Sequence, residues 1–242
     1  MQVLQVISLL LDYPKVELLE VVPELRATVR NSALSSAQQQ ALDGFIVRRT
    51  SGDFMDWQSE YDRLFERGRA LSLLLFEHVH GESRDRGQAM VDLMQQYQQA
   101  GLDIGVKELP DYIPLYLEFL ATQGEENARE GLAEVGHILA VLAVRLEQRE
   151  CDYAELFRSL LELSQVQVDL NDVRAQVEKE KRDDTPKELD KVWEEEMVTF
   201  TGNDATSTCP TAQNRPGEGQ RRDQYIPLNL DQLSNVKNAA DA

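Results

Sequence analysis

The sequence predicts an all-α protein, a single-domain helical bundle over residues 1–200 followed by a flexible C-terminal tail over residues 201–242. Through the first part, apolar residues recur at helical spacing, and proline, glycine and N-cap residues divide the periodic stretches into separate helices. No segment shows a convincing strand alternation. From about Thr201 the composition shifts to Thr, Asn, Gly, Gln, Pro and Ser without a periodic apolar face, which is typical of disorder.

Three helices are expected before residue 50. The first carries an apolar stripe through MQVLQVISLLL and ends at Asp12-Tyr13-Pro14. Pro23 interrupts the next periodic stretch, which predicts a kink or a break into two short helices there. Ser35 or Ser36 is the expected N-cap of the third helix, which runs through Arg49.

The next helix carries an aromatic stripe. Gly52-Asp53 opens it, and Gly68 is well placed as its C-terminal glycine. The residues expected on its inner face are Phe54, Trp57, Tyr61, Leu64 and Phe65. The chain then enters its most concentrated aliphatic run, Leu71–Phe76, which we expect to be mainly core, and breaks into the polar segment HVHGESRDRG.

The second half of the domain also shows helix signals. Ser83 can cap a helix that ends at Gly101, and its expected inner face holds Met90, Leu93, Met94 and Tyr97. Asp111 is a plausible N-cap for a central, mostly apolar helix, with Pro114 in its first turn.

A long helix is expected from about residue 126 to residue 147. It has a seam of small residues that would let another helix approach closely, namely Ala133, Gly136, Ala140 and Ala143. A core helix around Tyr153–Leu161 and a charged helix near residues 171–181 follow. Thr185-Pro186-Lys187-Glu188 is a capping box that opens one more helix.

Composition limits the function. The net charge of −18 argues against nucleic acid as a partner and suits a basic peptide, although solubility alone also explains it. Cys151 and Cys209 lie far apart without a CxxC pattern, so a disulfide framework or a cysteine metal site is not expected. No apolar run is long enough to cross a bilayer, and the N-terminus lacks the charged start of a signal peptide. We therefore expect a cytoplasmic protein without direct membrane insertion.

Catalytic motifs are missing from the sequence, which has no glycine-rich phosphate loop, GxSxG or HExxH. These observations favour an interaction protein over an enzyme. The alternative is a metal- or cofactor-binding enzyme that uses His78, His80 and Glu82, whose side chains a loop could bring together. In the competing interpretation His78 closes the buried run and His80 hydrogen-bonds the turn.

Two motifs carry a family resemblance. The Tyr61-x-x-Leu64-Phe65-x-x-Gly68 pattern, and Glu108–Tyr112 followed by Leu117–Leu120, resemble the two motifs of a wider chaperone group. Within that group, Phe65–Leu93 resembles the nitrate reductase molybdenum cofactor assembly chaperones. These delta subunits of respiratory nitrate reductase belong to the TorD/DmsD-like redox enzyme maturation chaperones. The resemblance covers roughly residues 1 to 200. The wider group often has histidine where this chain has Tyr112, so a packing or hydroxyl role is expected there instead of an imidazole role.

The resemblance implies an all-helical, non-enzymatic chaperone. Its client would be the apo catalytic (alpha) subunit of nitrate reductase, bound through the N-terminal segment before membrane attachment. The chaperone would keep the client competent for insertion of the molybdenum guanine dinucleotide cofactor and iron–sulfur clusters, without stably binding a cofactor itself. The beta subunit and the molybdenum cofactor biosynthesis proteins are further candidate partners. A third hypothesis is a permanent structural subunit of the reductase.

The expected client-binding groove has three walls, which are the Tyr61–Phe65 helix, the Leu71–Phe76 run and the helix opening at Asp111. Asp111 and Glu118 would meet basic side chains of the client. Several members of the site must be core, and the sequence does not divide them. The candidate residues are Tyr61, Leu64, Phe65, Arg67, Gly68, Leu75, Phe76, Asp111, Tyr112, Tyr116 and Glu118.

Overall fold

Helices build the described part of the chain, which in this computed structural model comprises residues 1–79, 84–102, 104, 108–180, 183 and 190. Within those ranges the structure has α-helices, short 3-10 helices and no strand, and its one isolated antiparallel bridge joins Leu74 to Tyr112. The all-α prediction is therefore confirmed. The expected domain boundary, the tail and the capping box at Thr185-Pro186-Lys187-Glu188 lie outside the described residues.

The elements follow one another through short connections. In chain order they are α1 (Gln2–Leu11), a 3-10 helix (Val16–Val21), α2 (Val22–Arg30), α3 (Ser36–Ser51), α4 (Phe54–Phe65), a 3-10 helix (Leu75–Glu77), α5 (Arg84–Gln99), α6 (Ile113–Thr122), α7 (Glu125–Glu134), α8 (Gly136–Gln148), α9 (Ala154–Ser164) and α10 (Leu170–Val177).

Capping side chains set several of these boundaries, as the sequence predicts. The Ser35 hydroxyl accepts the Gln38 N–H at 3.3 Å, and the Asp53 carboxylate accepts the Met55 N–H at 2.8 Å. Pro23 lies in the first turn of α2, directly after a 3-10 helix, so the predicted break is present.

The core is organised around α9, which packs against α1, α3, α7 and α8. Three of its side chains, Leu156, Phe157 and Leu160, are completely inaccessible to solvent. The apolar α6 packs against α1 and α7, and its buried residues include Ile113, which confirms the predicted central helix. Among the described residues, no helix is both long and apolar enough to cross a membrane.

The single helix predicted over residues 126–147 is wrong, because the chain breaks at Val135 and forms α7 and α8. The predicted small-residue seam lies across this break. A Cβ placed on Gly136 would lie 2.7 Å from Cγ1 of Val166, so this glycine permits a close approach that a larger residue would prevent. Ala140 and Ala143 of the same seam are buried.

Three smaller expectations also need correction. Met94 is 40% exposed, and the inner face of α5 is formed by the buried Leu93 and Tyr97. Glu66, not a glycine, is the C-cap of α4, and Gly68 lies in the following loop with a φ of +83°. Asp111 does not cap α6, whose N-cap is Tyr112.

Candidate functional site

The three segments expected to form the groove meet in the structure. The Leu75 N–H donates to the Asp111 carbonyl at 2.9 Å, and the Ile113 N–H donates to the Leu73 carbonyl at 2.8 Å. These bonds hold Leu73 and Leu75 beside the start of α6, where the chain enters the 3-10 helix Leu75–Glu77.

Asp111 holds this junction from inside. Its side chain is 0% exposed, and Oδ2 accepts the Phe76 N–H at 3.1 Å. Arg86 Nη2 on α5 lies 3.9 Å from the same oxygen, while Asp111 Oδ1 and Arg86 Nε are buried without a hydrogen-bond partner among the described atoms. Burial raises the pKa of Asp111, although the Phe76 N–H and Arg86 oppose the shift. Asp111 therefore ties the Leu75–Phe76 turn to α5.

A tyrosine pair joins α4 to α6 and reaches the surface at one end. The Tyr61 hydroxyl donates to the Leu11 carbonyl at 3.0 Å and lies 3.3 Å from the Tyr112 hydroxyl. Tyr112 in turn donates to Asp12 Oδ1 at 3.2 Å. Burial raises the pKa of both tyrosines, so both remain neutral donors. The Tyr112 hydroxyl thus links the start of α6 to Tyr61 and to Asp12.

Burial divides the candidate site residues into two groups. Phe76 and Tyr112 are half-buried, and Arg67, Gly68 and Glu118 are exposed. A partner could contact this group directly. The remaining members are core residues that a partner cannot contact in this conformation, namely Tyr61, Leu64, Phe65, Leu75, Asp111 and Tyr116.

Acidic side chains surround the exposed end of the tyrosine pair. Ser8 Oγ lies 3.5 Å from Glu118 Oε1 and donates to the Pro114 carbonyl, which places Glu118 beside α1. Burial raises the pKa of Glu118, and the neighbouring carboxylates of Glu108 and Asp12 raise it further. Lys15 Nζ lies 3.0 Å from Asp12 Oδ2 and partly opposes this shift, so Glu118 is the carboxylate whose charge a cationic partner would stabilise.

Exposed apolar side chains lie close in the sequence to the same carboxylates. Leu9 is 43% exposed, Tyr13 40%, Val16 60% and Leu109 45%. Leu9, Tyr13 and Val16 extend from the end of α1, and the Leu109 carbonyl accepts the Tyr112 N–H at 3.0 Å. We define the α1–α6 face as these apolar side chains together with Asp12, Glu108, Tyr112 and Glu118.

The sequence does not predict the α1 half of this face. Asp12-Tyr13-Pro14 indicates only a helix end, and nothing local shows that the segment lies beside Tyr112. The available signal was an aromatic and a carboxylate together at the end of an otherwise apolar helix. Only the packing of α1 on α6 turns that signal into part of a site.

The alternative metal site receives no support from its described member. Ser72 O lies 2.8 Å from His78 Nε2, and burial lowers the pKa of this half-buried imidazole. His78 thus closes the buried run, whereas His80 and Glu82 lie outside the described residues. Within the part of the chain that the structure describes, no group of three or more His, Cys, Asp or Glu side chains could hold a metal ion.

Comparisons with known proteins show what this chain is similar to. A family model described as "Nitrate reductase delta subunit" matches residues 28–159. The chain is 47% identical over 227 residues to the nitrate reductase molybdenum cofactor assembly chaperone NarJ of Escherichia coli K12, covering 93% of this chain and 96% of the relative.

Two further relatives agree. The probable assembly chaperone NarW of Escherichia coli K12 is 46% identical over 215 residues, covering 89% of this chain and 90% of the relative. The probable assembly chaperone NarJ of Bacillus subtilis strain 168 is 32% identical over 157 residues, covering 64% of this chain and 84% of the relative.

Proposed function

The chain belongs to the nitrate reductase delta subunit family, and we propose that it is a client-specific cytoplasmic chaperone for the apo catalytic subunit of respiratory nitrate reductase. It binds the N-terminal segment of that subunit. It keeps the subunit competent for insertion of the molybdenum guanine dinucleotide cofactor and iron–sulfur clusters before membrane assembly. The names of the relatives, which are molybdenum cofactor assembly chaperones for nitrate reductase, support this proposal.

The observation that carries the client-binding part of the proposal is the chemistry of the α1–α6 face. A basic amphipathic helix presents apolar side chains along one stripe and lysine or arginine beside it. Exposed Leu9, Tyr13 and Leu109 provide the apolar contact, and Glu118 with its neighbouring carboxylates provides the complementary charge. Such charge complementarity raises the association rate and selects against acidic segments.

The remaining groove candidates act from beneath this face. Tyr61 and Asp111 hold the positions of Tyr112 and the Leu75–Phe76 turn through the hydrogen bonds described above. These hydrogen bonds preorganise the surface, which lowers the entropic cost of binding a segment that folds as it binds. The molybdenum cofactor is the cargo of the client, so the chaperone's own part is to hold the client segment.

A pull-down of the apo catalytic subunit, with and without its N-terminal segment, tests this function. We expect the full-length apo subunit to be captured and the truncated subunit to be lost. Equal capture of both forms would contradict binding through the N-terminal segment. Co-purification in equal amounts with the mature membrane reductase would instead support the permanent structural subunit.

A further inference from the structure

The last described helix, α10, is attached to the rest of the protein differently from the others. Its eight residues are fewer than the ~12 that an isolated helix needs for marginal stability, as is also true of α1, α2, α6, α7 and α9, so α10 depends on its packing. Val173 and Val177 bury its inner face against α8. The cluster that they form there is separate from the main core and consists of Ala140, Val141, Val144, Val173 and Val177.

Charged contacts fix the chain just beyond α10. Glu180 accepts from Arg145 Nε at 2.8 Å and from Arg145 Nη2 at 2.9 Å, while Arg145 Nη1 donates to the Ala70 carbonyl at 2.7 Å. Arg145 therefore joins α8, the end of α10 and the loop after α4 through one guanidinium group. Such bidentate geometry is the most favourable arrangement for an arginine–carboxylate pair.

The Asp183 side chain binds the backbone of the same loop. Asp183 Oδ2 accepts the N–H groups of Arg69 and Ala70, each at 2.7 Å, and Arg149 Nη2 lies 3.2 Å from Oδ1. Successive backbone N–H groups directed at one carboxylate form an anion-binding concavity.

Gly68 is fitted to this carboxylate. Its φ of +83° is a conformation that residues with a Cβ rarely adopt, and an added Cβ would lie 2.7 Å from Asp183 Oδ2. The loop conformation and the position of Asp183 therefore depend on each other.

We infer that α10, Glu180 and Asp183 form a clasp that opens and closes as one unit over α8 and the Arg67–Ala70 loop, while the main core stays folded. Regions with few buried apolar contacts open locally at lower free energy than the core. Among the described residues, the buried apolar contacts of the clasp are those of the small valine–alanine cluster, against which Leu161, Val168 and Leu170 pack, whereas α9 lies inside the main core.

The clasp controls a cleft of about 520 Å³. Gln176 and Glu180 of the clasp form one side, and Arg69 and Ala70 of the Arg67–Ala70 loop form another. Opening the clasp would remove one wall of the cleft and free the Arg67–Ala70 loop from Asp183. It would also expose the valine and alanine side chains of α8 that α10 covers.

Native-state hydrogen exchange of the full chain tests this inference. In the wild type we expect the α10 amides at Val173 and Val177 to exchange by an opening that is nearly independent of denaturant and faster than the opening of α9. Exchange of α10 and α9 with the same free energy and the same denaturant dependence would overturn the inference, because α10 would then open only on global unfolding.

Substitution of Asp183 tests its contact with the Arg67–Ala70 loop directly. Asp183→Ala should deprotect the Arg69 and Ala70 amides and speed exchange in α10 about tenfold, the effect of losing a hydrogen bond to a charged group. Asp190→Ala, at an exposed aspartate, is the matched control and should leave α10 exchange unchanged. Deprotection of the loop amides without faster α10 exchange would show that Asp183 and α10 do not open as one unit. A double-mutant cycle with Gly68→Ala should be non-additive, and strict additivity would contradict the contact.

Discussion

Asp111 shows how one buried side chain supports a surface that it does not reach. Replacing it with alanine removes the acceptor of the Phe76 N–H and the second of two carboxylates beside Arg86, the nearer being Glu77, whose Oε1 lies 3.4 Å from Arg86 Nη1. We expect Asp111→Ala to lower the free energy of unfolding by about 2 kcal/mol or more. Asp111→Asn keeps an acceptor and should cost less. Urea denaturation of both variants at neutral pH measures the difference, and equal stability of the alanine variant and the wild type would contradict this role.

The raised pKa of Asp111 also predicts how its effect depends on pH. Because the folded-state pKa lies above the ordinary value of 3.8, the folded state binds more protons than the unfolded state in the interval between them. The stability contributed by Asp111 therefore falls as the pH rises through that interval. The free energy of unfolding of Asp111→Asn, relative to that of the wild type, should be lowest in acid and highest at neutral pH. Urea denaturation over that range measures this, and a pH-independent difference would contradict it.

At the scale of the elements, glycine substitutions distinguish close packing from open helix surface. Gly136→Ala places a Cβ 2.7 Å from Val166 Cγ1, a stiff β-branched side chain, and should destabilise the α7–α8 junction by about 1–3 kcal/mol. Gly87→Ala in α5 has nothing within 4 Å of the added Cβ and should stabilise by about 0.5–1 kcal/mol. Thermal unfolding of both variants gives the comparison, and the same sign for both would contradict it.

The elements also show what the sequence can predict. Local signals found the capped starts of α3 and α4 and the break at Pro23, because a capping side chain and a proline act within their own turn. The close contact of Gly136 with Val166 was missed because Val166 comes from a distant part of the chain. For the same reason, the sequence could not tell that Asp111 turns inward while Glu118 stays exposed on the neighbouring helix.

At the scale of the whole molecule, the net charge of −18 predicts how client binding responds to solution conditions. A cationic client segment favours ionised Glu118, whose pKa is raised by burial and by neighbouring carboxylates. Binding should therefore weaken as the pH falls through that pKa, and it should weaken with added salt because exposed charges are screened. Titrations of a client peptide at several pH values and salt concentrations measure both effects. Affinity that is independent of both would exclude an electrostatic role for the α1–α6 face.

Calorimetric titration of the client's N-terminal peptide into the protein tests the central claim most directly. We expect binding with a negative heat-capacity change, because apolar surface is buried. Glu118→Lys should weaken binding about tenfold or more, whereas Glu130→Lys, an equal charge reversal at an exposed position on α7, should have little effect. No heat at peptide concentrations on the order of tens of micromolar, or equal weakening by the two reversals, would contradict client binding at the α1–α6 face.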